Sequence, residues 1–281
     1  MKKITKQLAR SFYIPRPKDG HKGFFGHALL MLGSRGKMGA AVLAARACMR
    51  SGVGKVSVFA PKCGYSVLQT AVPEVMVIDS EHEDYLSGDV SFRGYMATGI
   101  GCGIGQHPQT AKLLHHVLTS RQVALVLDAD ALNLLAENKS WLKKLPEFSI
   151  LTPHPKEFQR LFGGTGDRQE AIAIQQQKAK ELDCTIILKG DETVIATPTD
   201  TYINTTGNSG MGTAGTGDVL TGLLTGLLAQ GYCPEEAAVV GVYLHGLAGD
   251  LAAAAGSEEG LIATDLIEHL PLAFRKTFYN K

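Results

Sequence analysis

The sequence predicts a doubly wound α/β fold, with a mostly parallel sheet, helices on both faces and an antiparallel hairpin at one edge. Apolar runs of strand length alternate with helical patterns through most of the chain. The runs are continuously apolar, which is typical of strands buried on both faces. Two late runs flank the turn residues 198–200, which predicts the hairpin. Ligands bind outside the carboxyl ends of the strands in such sheets.

The predicted elements follow in order along the chain. Apolar runs predict strands at 27–34, 55–61, 75–79, 95–100, 124–130, 149–154 and 185–190. Helical patterns lie among them at 38–52, 109–120 and 168–183. The hairpin covers 193–205, and the remainder is helical at 218–230, 234–255 and about 264–279. We expect one domain over 21–281, preceded by an N-terminal extension of residues 1–20.

Composition and charge limit the kinds of partner. The 281 residues are 44% hydrophobic and 20% charged, which favours a globular chain with a large core. The formal net charge is only +1, without a long run of one sign, so a nucleic-acid partner or an anionic membrane is not expected.

Cysteine usage and the N-terminus suggest a compartment. The five cysteines are scattered and never in CxxC spacing, so we expect buried thiols in a reducing compartment. The basic N-terminus lacks the apolar segment of a secretory signal. The most apolar stretch, 237–256, contains His245, Asp250 and four glycines, so it is predicted to be a buried helix rather than a membrane span. We expect a cytoplasmic protein.

One glycine-rich loop stands out. Five glycines lie between Gly207 and Gly217, and an apolar helical pattern then begins with Asp218. Such a loop presents backbone N–H groups and the positive end of a helix dipole to a phosphate. Asp218 could simply be an N-terminal helix acid. A carboxylate beside an anion site has a clearer purpose as the base that takes a proton from a nucleophilic hydroxyl.

Three other strand ends carry candidate residues. Lys189 and Gly190 lie at the end of one strand, shortly before Thr193, and are binding candidates. The structural alternative is that Lys189 merely ends a strand that enters a tight turn. His154 lies between two prolines that restrict the backbone, which makes it a binding candidate. The segment LDADALNLL supplies Asp128, Asp130 and Asn133, which either point into a cleft or, for Asp130, cap the following helix.

Two further glycine motifs match known fingerprints only partly. GSRGKMG (33–39) has the wrong spacing for a P-loop, and no Ser or Thr follows its lysine. GIGCGIG (99–105) has the spacing GxGxGxG rather than GxGxxG. Its partial match to the dinucleotide fingerprint leaves a nucleotide-binding oxidoreductase as an alternative function. Both segments are better explained as turns that line a cleft.

Taken together, the motifs resemble the ADP-dependent NAD(P)H-hydrate dehydratases, which have a ribokinase-like fold. GSRGKMGAAVLAARACMRSGVGKV, GIGCGIG, LDADALN, LTPHPKEF, LKGDETVI and NTTGNSGMGTAGTGDVLTG occur in this order across about 20–275. The resemblance implies a three-layer α/β/α sandwich. It also implies repair of the S-epimer of hydrated NADH or NADPH, in which ADP or ATP phosphorylates the ring hydroxyl and loss of phosphate restores the cofactor.

The resemblance assigns roles to single residues. Asp218 would be the catalytic base, and the N–H groups of Gly215, Thr216 and Gly217 would form the anion hole. The nucleotide contacts implied are Lys189, Gly190, Asp191, Glu192, Thr193 and Gly217. The hydrated-dinucleotide contacts implied are Ala40, Gly103, His154, Asp218, Asp128 and Asn133. Magnesium is expected at the phosphates, and no motif identifies its protein ligands.

The chain departs from the family pattern at four positions. Ser209 stands where members commonly have proline, and Ala214 where they commonly have glycine. Cys102 replaces a frequent proline, and Lys156 replaces a frequent glycine. Ala214 matters most because a Cβ disfavours positive φ. Many members carry a fused epimerase domain, so we expect a separate epimerase as a functional partner here, and a homo-oligomer, possibly a tetramer.

Two other functions stay open. A ribokinase-superfamily kinase for a vitamin precursor or sugar would use the same base and anion hole and release its phosphorylated product. A nucleotide-sensing binding protein without turnover is a different class, against which the carboxylate of Asp218 argues.

Overall fold

The computed structural model describes residues 1–120, 124–164 and 167–279. One ten-stranded sheet runs through it in the order β1-β10-β9-β8-β7-β6-β5-β2-β3-β4. Its strands are β1 Lys2–Lys3, β2 His27–Met31, β3 Lys55–Ala60, β4 Met76–Asp79, β5 Ala97–Ile100, β6 Ala124–Leu127, β7 Ile150–Leu151, β8 Thr185–Leu188, β9 Val194–Ala196 and β10 Thr201–Ile203.

The sheet is parallel from β4 through β8, as the apolar runs predict. Typical registers are Leu29 opposite Thr98 and Ile186 opposite Leu151. The order reverses between β5 and β2, so the chain extends the sheet in both directions from its centre. The predicted hairpin is present: β9 pairs antiparallel with both β8 and β10.

Helices cover both faces and complete three layers. They are α1 Lys6–Ser11, α2 Met38–Arg50, α3 Tyr65–Ala71, α4 Pro108–Ser120, α5 Ala129–Glu137, α6 Pro155–Phe162, α7 Arg168–Glu181, α8 Thr216–Ala229, α9 Pro234–Ala255 and α10 Ala263–Phe274. One apolar core joins the sheet to α2, α8, α9 and α10. A second core joins the other face to α4, α5 and α6. The expected three-layer α/β/α architecture is confirmed.

Close packing around α8 explains two of its glycines. A Cβ on Gly222 would lie 2.0 Å from the carbonyl oxygen of Ala44, and one on Gly226 would lie 2.0 Å from the Ser51 hydroxyl. Both neighbours belong to α2 or the residue that follows it. Glycine at these positions therefore lets α2 and α8 approach closely enough to share one buried face.

The structure corrects several sequence expectations. The strand predicted at 124–130 ends at Leu127, and α5 begins at Ala129. The patterns did not predict β1, α1, α3 or α6, and they placed a helix near α5 without bounds. Strand β1 and helix α1 give the predicted N-terminal extension regular structure. Strand β1 pairs with β10, at one edge of the sheet. Of the cysteines expected to be buried, Cys63 is partly exposed and Cys233 is exposed; all five are free thiols.

Helix α9 is the only helix in the described residues that is long and apolar enough to cross a membrane. Within the structure 67% of its apolar window is buried. Its inner face packs in the core with α8 and α10. The helix is therefore a core element, as predicted for 237–256.

Candidate active site

Asp128 lies at the carboxyl end of β6, with 2% of its surface exposed. It is the N-cap of α5, and its Oδ1 accepts a hydrogen bond from the backbone N–H of Ala129 at 2.8 Å. The same oxygen accepts from the ammonium group of Lys189 at 2.7 Å. The Thr221 hydroxyl donates to Oδ2 at 2.9 Å. The cap is thus Asp128 and not Asp130, whose carboxylate instead accepts from the Gly105 N–H at 2.8 Å.

Lys189 follows β8 and occupies the centre of the site. Its ammonium group bonds to Asp128 and lies 4.0 Å from a carboxylate oxygen of Glu157. Burial lowers the pKa of Lys189, but the two carboxylates outweigh it and leave a net upward shift. A Cβ on Gly217 would lie 3.4 Å from the Lys189 nitrogen. Lys189 therefore presents a fixed positive charge beside the glycine loop.

The glycine loop leads into α8 through a left-handed residue. Gly215 is the N-cap at φ 93°, and α8 begins at Thr216. The Thr216 hydroxyl donates back to the Met211 and Thr213 carbonyls, so its side chain holds the loop. First-turn N–H groups have no intrahelical acceptor, so the backbone at Gly215–Gly217 has donors free of the helix ladder. Their role as an anion hole stays a prediction.

Asp218 lies in the first turn of α8, and the structure places it among charged groups. Burial raises its pKa to about 6; the Cys102 thiol lowers that pKa by hydrogen bonding, Asp128 raises it, Lys189 lowers it and Asp130 raises it. Near neutral pH, Asp218 is thus mostly ionised yet basic enough to accept a proton.

A partly buried histidine supports the loop from α9. The His245 Nε2 lies 2.9 Å from the carbonyl oxygen of Thr216, so this nitrogen donates to the loop. Burial lowers the pKa of His245 to about 4, against a smaller opposing effect of that hydrogen bond. The imidazole is therefore neutral at neutral pH. It acts as a fixed donor to the residue two before Asp218.

His154 is the N-cap of α6 and forms a capping box with Glu157. Its Nδ1 accepts from the Lys156 N–H at 3.1 Å, and Glu157 accepts from the His154 N–H at 2.8 Å. Burial lowers the pKa of His154, assisted by the charge of Lys189. The structural role is real: Nε2 also lies 3.3 Å from a carboxylate oxygen of Glu157, while 43% of the side chain is exposed.

A cavity of about 310 Å³ opens beside Lys189. Four of the six predicted nucleotide contacts line it: Lys189, Gly190, Asp191 and Glu192. Phe158, Ile172, Leu188 and Val194 add apolar surface suited to a flat base. Arg168 lies in its wall and pairs with Asp191 and Glu192. The Thr193 hydroxyl instead donates to the Gly190 carbonyl at 3.2 Å and closes the loop.

The predicted dinucleotide contacts divide into two groups. Gly103 and Ala40 adjoin each other, since a Cβ on Gly103 would lie 3.2 Å from the Ala40 Cβ. Asn133 lines a separate open cavity of about 390 Å³ with Gln106, Glu137 and Arg160. Asp128 already accepts three hydrogen bonds from protein donors, which suits a residue that positions others. The roles of these residues toward the dinucleotide stay predictions.

The four departures are accommodated locally. Ala214 is not among the described non-glycine residues with positive φ, because Gly215 takes that conformation. The Ser209 hydroxyl donates to Glu258, and Asp250 accepts from the Gly207 N–H at 3.0 Å. Lys156 is exposed and lines the cavity beside Lys189. Cys102 is fully buried.

Solved structures identify the class of protein that has this fold and site. A ribokinase-like superfamily protein from Enterococcus faecalis aligns over 99% of this chain and 97% of its own, with a TM-score of 0.85 and 29% identity. The protein described here is ribokinase-like, as the sequence predicted.

The family is narrower than that class. The family described as NAD(P)H-hydrate dehydratase matches residues 28–272, and the chain belongs to it. A Bacillus subtilis ADP/ATP-dependent NAD(P)H-hydrate dehydratase, co-crystallised with ATP and Mg²⁺, aligns over 98% of both chains at 32% identity and a TM-score of 0.86. The bifunctional NAD(P)H-hydrate repair enzyme Nnr of Moorella thermoacetica is 38% identical over 97% of this chain. The chain spans about half the length of that and similar curated relatives.

Sequence reasoning missed several supporting residues. Thr221, His245 and Glu157 each contact a predicted site residue, and none was singled out for a role in the site. For Glu157 a signal existed, because Glu three positions after a helix cap predicts a capping box. For Thr221 and His245 no local signal exists, since their contacts are set by helix packing.

Proposed function

We propose that the protein dehydrates the S-epimer of hydrated NADH or NADPH at the expense of ADP or ATP. The observation that carries the proposal is the arrangement at the start of α8. A carboxylate of raised pKa, Asp218, lies one residue after a glycine loop that presents N–H groups beside Lys189. This arrangement suits phosphoryl transfer to a hydroxyl.

The nucleotide enters the cavity beside Lys189. Its base packs on the apolar side chains, and its phosphates extend toward Lys189 and the start of α8. The ammonium group is held by Asp128, so it need not be reorganised when charge develops on the transferred phosphoryl group. Backbone N–H groups of Gly215–Gly217 hold the phosphoryl oxygens from the other side.

Asp218 then takes the proton from the ring hydroxyl of the hydrate, and the hydroxyl oxygen attacks the terminal phosphorus. AMP leaves when the donor is ADP. The phosphorylated hydrate loses phosphate and a ring proton, and the carbon–carbon double bond of the reduced nicotinamide re-forms. The residues expected to contact the hydrate are Ala40, Gly103, His154, Asp218, Asp128 and Asn133.

Magnesium fits this site through the nucleotide. No group of three His, Cys, Asp or Glu suited to a metal occurs within the described residues, and the Asp128 carboxylate is already occupied by protein donors. Mg²⁺ keeps several waters and commonly binds through phosphates, and it supplies charge neutralisation there. We therefore expect the ion to arrive on the nucleotide.

The kinase of the same fold remains the alternative. It would share Asp218, Lys189 and the loop, and would differ only in releasing a stable phosphorylated product. Membership in the dehydratase family supports the repair reaction over this alternative.

We also propose a cytoplasmic homo-oligomer, with a tetramer as the candidate state, that works with an NAD(P)H-hydrate epimerase activity. The free thiols support a reducing compartment. Exposed apolar Tyr65, Val67 and Met76 on α3 and the outer strand β4 support contact between copies. Light scattering of the protein as it elutes from a size-exclusion column measures the oligomeric state.

The decisive experiment supplies S-NADHX and Mg²⁺ with ADP and ATP in parallel. Return of the absorbance of reduced nicotinamide, with release of phosphate, supports the repair reaction and identifies the donor. Asp218→Asn is expected to abolish turnover while nucleotide still binds. A folded wild-type protein that binds ADP yet restores no NADH would overturn the proposal and favour the kinase.

A further inference from the structure

Arg168 links two of the segments that line the cavity beside Lys189. It is the first residue of α7, and its side chain reaches the β8–β9 turn (residues 189–193). Its Nη1 lies 3.3 Å from Oδ1 of Asp191, and its Nη2 lies 2.8 Å from Oε2 of Glu192. Nη2 also donates to the backbone carbonyl of Glu192 at 3.1 Å. The guanidinium group therefore holds the main chain of the turn as well as two of its side chains.

The helix that carries Arg168 is itself anchored to the two strands that the turn joins. Gln175 lies about two helical turns after Arg168 and is fully buried. Its Nε2 donates to the carbonyl of Ile186 on β8 at 2.8 Å and to that of Val194 on β9 at 2.9 Å. Arg168 therefore reaches the turn from a helix whose position relative to both strands is fixed.

The middle of the turn depends on Arg168 for its position. The Thr193 hydroxyl bonds to both the N–H and the carbonyl of Gly190, which closes the turn at its base. In the part of the chain that the structure describes, the side chains of Asp191 and Glu192 have no hydrogen bond or ion pair other than those with Arg168. Both residues line the cavity, so their position affects what the cavity can bind.

The pairs with Arg168 are exposed, so they contribute little to the stability of the fold. The exposed fraction of the side chain is 43% for Arg168, 88% for Asp191 and 59% for Glu192. Exposed ion pairs stabilise a fold weakly because water competes for both charges. A guanidinium group nevertheless holds its acceptors in one geometry through a planar set of donors, which an ammonium group cannot do. The main effect of Arg168 is therefore on the geometry of the turn.

We propose that Arg168 is a positioning residue for the adenine nucleotide, because it holds the β8–β9 turn in the conformation that the nucleotide contacts. This inference rests on the proposed function, which assigns the cavity to ADP or ATP. A turn that must be ordered on binding costs affinity, and a turn already ordered in the free protein avoids that cost. Arg168 thus acts on the nucleotide through the turn.

Calorimetric titration with ADP and Mg²⁺ compares wild type, Arg168→Ala, Arg168→Lys and Lys178→Ala. Arg168→Ala is expected to raise the Kd for ADP roughly three- to tenfold, since the turn must then be ordered on binding. Lysine keeps the charge but not the planar donors, so Arg168→Lys is expected to bind ADP nearly as weakly as the alanine variant. Lys178 lies on the same helix, in an ion pair with Glu181 outside the cavity, so Lys178→Ala is expected to bind ADP like wild type.

A second readout needs neither nucleotide nor turnover. Glutamyl endopeptidase cuts the chain after glutamate, so the rate of its cut after Glu192, followed by mass spectrometry, measures how often the turn opens. That cut is expected to be roughly three- to tenfold faster in Arg168→Ala, because two ion pairs and a hydrogen bond are lost. Lys178→Ala is expected to be cut at the wild-type rate.

Steady-state kinetics separate a positioning role from a role in the chemistry. KM for ADP is expected to rise in Arg168→Ala by the same factor as the Kd, while kcat at saturating ADP is unchanged. A lower kcat with an unchanged KM would overturn the inference, because Arg168 would then act in the transition state.

The binding and cleavage experiments can each overturn the inference. An unchanged Kd for Arg168→Ala would do so, and so would wild-type affinity in Arg168→Lys, which would assign the effect to charge alone. Equal rates of cleavage after Glu192 in wild type and Arg168→Ala would overturn it even if the wild type proves inactive. A wild type that binds ADP more tightly than Arg168→Ala yet restores no NADH supports the inference and counts only against the proposed repair reaction.

Discussion

The ammonium group of Lys189 lies 2.7 Å from the carboxylate of Asp128, at the carboxyl ends of β8 and β6, the two strands that flank β7. Only 2% of the Asp128 side chain and 21% of the Lys189 side chain are exposed. The pair therefore lies where water is scarce, and each charge depends on the other. This pair sets the position of the positive charge that faces the glycine loop.

Removal of Asp128 is expected to destabilise the protein strongly. Asp128→Ala leaves the Lys189 charge half-buried and Thr221 without its acceptor, a loss of about 3–5 kcal/mol in the free energy of unfolding. Urea denaturation measures it. The control is Glu181→Ala, which breaks the more exposed pair with Lys178, also at 2.7 Å. That change is expected to cost at most about 1 kcal/mol. Equal losses for the two variants would contradict the role of burial.

The sequence predicts the sheet well because buried parallel strands are continuously apolar. Helix α9 was predicted at its observed limits for the same reason: a long apolar run is insensitive to local detail. The predicted strand ran past its true end at Leu127 because nothing in the sequence separates Asp128 from the strand residues before it. Only the hydrogen bond from the Ala129 N–H to the Asp128 side chain shows that the helix has begun. Helix α6 was missed because two prolines hid its start, although proline at a first helical position is favourable.

The site was predictable only where chemistry lies in a local motif. Asp218 and Lys189 stand beside glycines at strand and helix ends, which is a visible pattern. The contact of His245 with Thr216 joins distant segments, so it depends on how α8 and α9 pack. No local spacing encodes that packing.

The glycines of the catalytic loop are expected to respond differently to alanine. At Gly215, φ is 93° and a Cβ would lie 2.5 Å from a Leu43 methyl carbon, so Gly215→Ala is expected to destabilise by about 1–3 kcal/mol.

At Gly217 a Cβ would make ordinary contacts, so the fold tolerates alanine. That methyl group would occupy phosphate space, and KM for ADP is expected to rise roughly tenfold, equivalent to ~1.4 kcal/mol. Thermal unfolding and steady-state kinetics separate the two effects, and an unchanged KM in stable Gly217→Ala would count against phosphate binding there.

The raised pKa of Asp218 predicts that, as the pH rises, activity increases while the contribution of Asp218 to the free energy of unfolding falls. Activity is expected to fall below about pH 6 as the base protonates. Because the folded pKa exceeds the ordinary 3.8, the folded state binds the extra proton between pH 3.8 and 6, so Asp218 makes the fold less stable as pH rises through 6. Asp218→Asn is thus expected to be more stable than wild type at pH 7.5 by on the order of 2 kcal/mol. The difference should vanish below pH 4; a constant difference across this range would exclude titration as its cause.

His245 is expected to have the opposite pH dependence. Burial lowers its pKa to about 4 from 6.5, so the unfolded state binds the extra proton and stability falls as pH drops from 6.5 to 4. The loss attributable to His245 is of order 3 kcal/mol, which offsets the gain from Asp218 in the same window. His245→Gln keeps an N–H donor for Thr216 but does not titrate, so its stability should rise on acidification where that of wild type changes little. His245→Leu removes the donor as well and is expected to lose about 1 kcal/mol at every pH, because the Thr216 carbonyl loses its hydrogen bond to the imidazole. Unfolding by urea at several pH values measures both variants. If His245→Gln follows the wild-type curve, the histidine does not titrate in the folded protein as its burial requires.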